Sequence, residues 1–117
     1  MSREHLKHRT KEFAKQIIRF CRTLPNTREG RLIGVQLFRS GTSVAANYRA
    51  ACRARSRREF IAKLGIVEEE ADESLLWLEM IQEMEIVKSQ GLEEFMKENN
   101  EILAMVVSSI KTAKSKK

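Results

Sequence analysis

Proline, glycine, cysteine, histidine and aromatic residues are all scarce in this chain of 117 residues, which holds one proline, five glycines, two cysteines, two histidines and 6% aromatics. One proline and few glycines leave little material for the turns of a many-stranded sandwich or barrel. Ala, Leu, Ile, Glu, Lys and Arg dominate what remains, which is the composition of long helices. Cys21 and Cys52 stand alone, without CxxC spacing, and read as reduced thiols at the core or its boundary. No apolar run is long enough to cross a bilayer, and Met1 to Lys15 is charged where a secretory leader would be apolar. The expectation is a soluble, unexported, cytoplasmic protein of one domain, residues 1–117, with a modest core.

The apolar spacing predicts an all-α protein, an antiparallel up-down-up-down four-helix bundle with helices over 4–24, 27–55, 57–89 and 92–114. In the first helix Leu6, Thr10, Phe13, Ile17, Phe20 and Leu24 recur every three or four residues and form one stripe, which Pro25 ends. Asn26 with Glu29 suits an N-cap and its reciprocal carboxylate, and Leu32, Val35, Phe38, Thr42 and Ala45 give the stripe of the second helix. Ser56 to Glu59 is an S-x-x-E capping box ahead of Phe60, Leu64, Val67, Ala71, Leu75 and Leu78. Ser89-Gln90-Gly91 offers a glycine C-cap for the third helix, and Leu92, Phe95 or Met96, Ile102, Val106 and Ile110 define the fourth. Short connections make consecutive helices antiparallel neighbours.

Two features exceed what a simple bundle needs. Helix three also carries Ile61, Ile66, Leu76, Trp77, Met80, Ile81, Met84 and Ile86, a surplus of apolar surface that suggests self-association. Charge is uneven too: residues 1–25 and 26–55 each carry a net +5, residues 56–90 carry −5, and residues 91–117 carry +1. The first hairpin is basic and helix three is acidic.

No catalytic or cofactor motif emerges. The only histidines, His5 and His8, lack the Glu-x-x-His spacing of a di-metal bundle and a third ligand, so they read as solvated, with no metal and no cofactor. Glu68, Glu69, Glu70, Asp72 and Glu73 form a run that lacks the cleft an acid–base pair needs and reads as a solvated face, partly paired with neighbouring Arg or Lys. Ser40, Thr42 and Ser43 have no histidine to activate them. The chain is expected not to be an enzyme.

The stretch Ser40 to Asn47 is rich in small residues, and Gly41 in mid-helix costs about 1 kcal/mol relative to alanine. Either another helix of the bundle or a second subunit approaches there; Ser40, Gly41, Thr42, Ala45, Asn47 and Trp77 are the packing candidates. Arg49, Arg53, Arg55, Arg57, Arg58 and Lys63 gather at the junction of helices two and three, near Tyr48 and Phe60 as stacking groups, and are the candidate phosphate-binding surface. The competing reading pairs these arginines with helix-three carboxylates or a neighbouring subunit, and charge alone prefers it. Lys111, Lys114, Lys116 and Lys117 either add to phosphate binding or end a helix and solvate a tail.

Gln36-Leu37-Phe38-Arg39-Ser40-Gly41-Thr42-Ser43-Val44-Ala45-Ala46-Asn47 resembles the signature of the bacterial four-helix-bundle proteins named after 23S rRNA intervening sequences. Leu24-Pro25, Ser56 with Glu59-Phe60, and Glu70-Ala71-Asp72-Glu73-Ser74 leading to Trp77-Leu78-Glu79 extend the resemblance from about Phe13 to Val107. It implies a small bundle assembled as a homopentamer, with a branch serving as accessory variability proteins of diversity-generating retroelements, basic partners of a reverse transcriptase. One departure is Ala50, where such proteins commonly carry a glutamate three residues after the asparagine that is here Asn47.

Two functions follow as expectations. One is a non-enzymatic oligomer that binds RNA or DNA through its basic surface without reading base sequence. The other is a protein–protein adaptor or assembly subunit that docks a protein partner or sister subunits through helices two and three.

Overall fold

The computed structural model describes residues 2–88 and 91–116. Its helices are α1 (Arg3–Cys21), α2 (Arg28–Cys52), α3 (Arg57–Glu83) and α4 (Leu92–Ser115). Each packs on the next and α4 returns to α1, in a rod of 50 × 20 × 19 Å. Cross-links at matched heights set the directions. Gly41 lies beside Ile17 and Gly34 beside Leu24, while Arg9 near the start of α1 reaches Glu98 and Glu101 of α4. The fold is the four-helix bundle that the apolar spacing predicts.

Each start has a local cause. Ser2, Thr27 and Ser56 are the caps of α1, α2 and α3, their hydroxyls accepting from the backbone N–H of His5, Gly30 and Glu59 at 3.1, 3.1 and 3.0 Å. The cap of α2 is therefore Thr27 and not Asn26, whose side-chain oxygen instead accepts from Arg31 at 3.0 Å. In the predicted box at Ser56, Glu59 returns one residue further out, accepting from the Arg55 N–H at 3.2 Å.

Three helices end short of their predicted limits. α1 stops at Cys21 and not 24, because the residue before Pro25 is kept out of helical geometry and the chain leaves through tight turns, Thr23 N–H to Phe20 and Leu24 N–H to Cys21. α2 stops at Cys52 and not 55, where Arg53 and Ala54 donate to Ala50 and Ala51. α3 stops at Glu83 and not 89. Glu85 adopts φ 52°, Ile86 N–H bonds Ile81 and Glu85 N–H bonds Gln82, a Schellman stop with glutamate where glycine is usual. In the predicted cap, Ser89 and Gln90 lie outside the described residues, and Gly91 with φ −79° is the N-cap of α4.

The largest correction concerns α2. Leu32, Val35 and Phe38, predicted to face the core, are 59%, 63% and 45% exposed, and Thr42 and Ala45 are half-buried. The buried face is Gly34, Leu37, Ser40, Gly41, Val44, Tyr48 and Ala51. Scoring by large apolar side chains selects the wrong stripe because close helix approach favours small ones. A Cβ at Gly41 would sit 2.9 Å from both Ile17 Cγ1 and Cγ2, so this glycine serves the α1–α2 seam.

The core joins Phe13 and Ile17 of α1, Leu37 and Val44 of α2, Leu64, Leu78 and Ile81 of α3, and Ile102 and Val106 of α4. Ile81, counted with the surplus surface of helix three, is therefore core. Two polar contacts set register inside it. The buried hydroxyls of Ser40 and Ser74 hydrogen-bond at 2.9 Å across α2 and α3. Asn99, 1% exposed, donates its amide to Ala71 O and accepts from Leu75 N–H, each at 3.0 Å, tying α4 to α3. Burying such groups is tolerable only because each finds a partner.

Candidate nucleic-acid interface

The basic residues come together because a four-residue connection, 53–56, turns the chain from α2 into α3. Arg49 leaves the last turn of α2, Arg53 and Arg55 lie in the connection, and Lys63 stands in the second turn of α3. These four line an open groove of about 520 Å³ with Ala46, Ala50 and Glu59. Arg57 turns away toward the C-terminal end of α4, where its guanidinium donates to the Lys116 carbonyl. Arg58 is exposed and lines neither place. The structure thus gathers four of the six candidates.

None of the six cationic side chains has a carboxylate within 4.0 Å among the described residues. Two acids of α3 are engaged elsewhere. Arg39 reaches Glu70 at 3.0 Å and pairs with Glu73, which also accepts from the Trp77 indole N–H at 3.0 Å. The indole and then Arg39 hold the Glu73 carboxyl below the usual range. The pairing of the junction arginines with helix-three carboxylates, expected from charge, is not found among the described residues; Arg39 takes Glu70 and Glu73, and Arg9 takes Glu98 and Glu101 of α4.

A second shallow groove, about 280 Å³, continues the surface across α1, lined by Lys7, His8, Lys11, Ala45, Ala46 and Arg49 with Glu4. Ala46 and Arg49 belong to both grooves. Lys7 and Lys11 were not singled out in the sequence, although the +5 of residues 1–25 carried their signal.

The stacking groups do not survive as such. Tyr48 is 2% exposed and belongs to the core, and Phe60 is half-buried with the Arg3 guanidinium 4.3 Å above its ring. Lys111, Lys114 and Lys116 are exposed, while Lys117 lies outside the described residues. His5 and His8 are exposed, and no group of three or more His, Cys, Asp or Glu side chains able to hold a metal occurs among the described residues. Cys21 faces the Gly34 carbonyl at 3.7 Å, and burial pushes its thiol up to about 11. No described helix is long and apolar enough to cross a membrane.

Of the packing candidates, Ser40 and Gly41 are buried against α3 and α1, whereas Thr42 and Asn47 satisfy themselves on their own helix, bonding the Phe38 and Ser43 carbonyls at 2.7 and 2.9 Å. Ala45 sits at the α1 groove and Trp77 is held by Glu73.

The model of the 23S rRNA-intervening sequence protein family matches residues 5–108, which spans all four helices. The chain belongs to this family. A solved relative is a protein of unknown function from the S23 ribosomal protein family of Bacteroides thetaiotaomicron. It is 35% identical, with 95% of this chain and 99% of that one covered and a TM-score of 0.88. No curated protein matches the chain. For a 23S rRNA-intervening sequence protein the fold is therefore well anchored, and the groove at the α2–α3 junction is where its own charge accumulates.

Proposed function

We propose that this protein is a non-enzymatic, cytoplasmic, homo-oligomeric nucleic-acid-binding protein that holds the phosphate backbone in the groove of Arg49, Arg53, Arg55 and Lys63. The observation that supports the reading most is that these four cations line one open groove and none of them has a carboxylate partner within 4.0 Å among the described residues. Unpaired cations along a groove release counterions when they meet phosphates, so binding is strongly salt-dependent and indifferent to base sequence. Lys7 and Lys11 extend the track, and repetition in an oligomer multiplies it.

The test is binding of a structured RNA and a matched DNA duplex across a salt series, by wild type and by R49Q/R53Q/K63Q. The slope of log affinity against log salt should fall by about 0.7 to 0.9 for each phosphate the variant no longer neutralises, with helicity and assembly mass unchanged. Absence of binding to either at low salt would overturn the reading.

A second reading, an assembly subunit or adaptor for a protein partner such as a reverse transcriptase, has its own support. Ser40 opposite Ser74 puts Phe38, Val35 and Leu32 of α2 at the heights of Leu76, Met80 and Met84 of α3, all of them exposed. Two adjacent helices so furnished are suited to covering by sister subunits. V35E/M80E should then reduce the assembly to a monomer by light scattering.

A further inference from the structure

A larger cavity, about 670 Å³, opens at the end of the bundle where α1 and α3 begin and α2 and α4 finish. Arg3, Arg55, Arg57 and Lys116 line it, and no acidic side chain does. The helix dipoles cannot account for its field, since two N-termini and two C-termini meet there and their partial charges of about half a unit oppose. The four side chains supply the positive potential. Two are held in place by the fold, Arg3 by stacking on Phe60 and Arg57 by donating to the Lys116 carbonyl.

The rest of the lining is divided by chemistry. Hydroxyls of Ser108 and Thr112 stand on the α4 side, with Ser109 bonded to the Met105 carbonyl, and the half-buried Phe60 and Met105 form an apolar wall in front of the core. A surface pairing only with phosphate has no use for such a wall. The volume also falls within the roughly 300 to 1,000 Å³ typical of small-molecule sites, more than a bare anion fills. The complement is a molecule with an anionic head and a flat, partly apolar body.

We infer that this end cavity binds a nucleoside phosphate, the phosphate among the cations and hydroxyls and the base against the apolar wall. The nucleotide comes either free or as the 5′-phosphorylated end of a strand. The site is separate from the groove of Arg49, Arg53 and Lys63, sharing only Arg55 with it, so each stands or falls alone.

The experiment is titration calorimetry of the purified full chain with the four ribonucleoside 5′-monophosphates, inorganic phosphate and adenosine at low salt. At least one monophosphate should bind more tightly than phosphate or adenosine alone. R3E/K116E should weaken it by about tenfold or more, the scale of losing charge-assisted bonds. T112W, which fills the cavity without touching its charge, should abolish it, and both variants should keep wild-type helicity and the salt-dependent binding of duplex. Competition by a 5′-phosphorylated oligonucleotide, but not its 5′-hydroxyl form, would identify a strand end as the source; competition by neither would identify the free nucleotide. No binding by any monophosphate, or binding unchanged in T112W, would overturn the assignment.

Discussion

Replacing Gly41 and Gly65 with alanine in separate variants should stabilise the protein at Gly65 and fail to do so at Gly41. Both glycines are in helix interiors, where alanine gains about 1 kcal/mol from propensity alone. At Gly65 an added Cβ meets nothing within 4 Å, so G65A should realise the full gain and raise Tm by about 3 to 5 °C. At Gly41 the same Cβ would stand 2.9 Å from Ile17 Cγ1 and Cγ2 and 3.2 Å from Ile17 Cβ, with one side of each contact being helix that cannot rotate away. Overpacking of this kind costs about 1 to 3 kcal/mol, so G41A should be neutral to about 2 kcal/mol less stable after the propensity gain is subtracted. Ile17→Ala should cost less in the G41A background than in wild type, by about 1 kcal/mol or more, because it removes the clash. The assay is urea unfolding followed by circular dichroism at several protein concentrations, so that any assembly contribution is separated. Should G41A prove as stabilising as G65A while assembly mass falls, the small-residue stretch would be a subunit contact, and the argument for an α1–α2 seam would fail.

Glu85 holds φ 52° at the stop of α3, so E85G should stabilise by about 1 kcal/mol by removing a left-handed residue with a side chain, read from the same unfolding curves. Arg9 grips Glu98 with Nε and Nη2 at 2.8 and 2.6 Å and reaches Glu101 at 2.8 Å, so R9K, which keeps the charge but loses the fork, should cost about 1 kcal/mol, less in high salt. Because the indole of Trp77 and Arg39 hold the Glu73 carboxyl below 4.5, its stabilising contribution is complete above that pH and fades as pH falls through the folded value. E73Q should therefore flatten the acid side of the stability profile; an unchanged slope below about pH 4.5 would refute the contribution. The half-buried thiol of Cys21, its pKa pushed up, should react with iodoacetamide more slowly at pH 8 in the native state than in urea.

The legible parts of the fold were those with local causes. Leu6, Thr10, Phe13, Ile17 and Phe20 announced their stripe because large side chains at helical spacing bury together, and Ser56 announced α3 because a cap needs only its own next turn. What misled was equally physical. The exposed Leu32, Val35 and Phe38 resemble a core stripe, and Gly34 and Gly41 mark one only when the approach of Leu24 and Ile17 is known. Glu85 conceals a helix stop, since the left-handed residue there is not the glycine that signals one. Asn99 has no pattern in sequence at all; its place in the core depends on Ala71 and Leu75.

The sequence by itself determined that the chain is helical, that it has four helices with short turns, and that positive charge accumulates where the second meets the third. Periodicity, capping residues and charge act within a few residues and need no partner. Only the tertiary structure decided which charges are spent on one another. Arg39, inconspicuous in sequence, takes Glu70 and Glu73, Arg9 takes Glu98 and Glu101, and Arg49, Arg53, Arg55 and Lys63 are left facing an open groove. It decided as well that Arg3 and Lys116, at opposite ends of the chain, line one cavity. Such pairings depend on distances between helices, and those are set by how closely small residues such as Gly41 let the backbones approach.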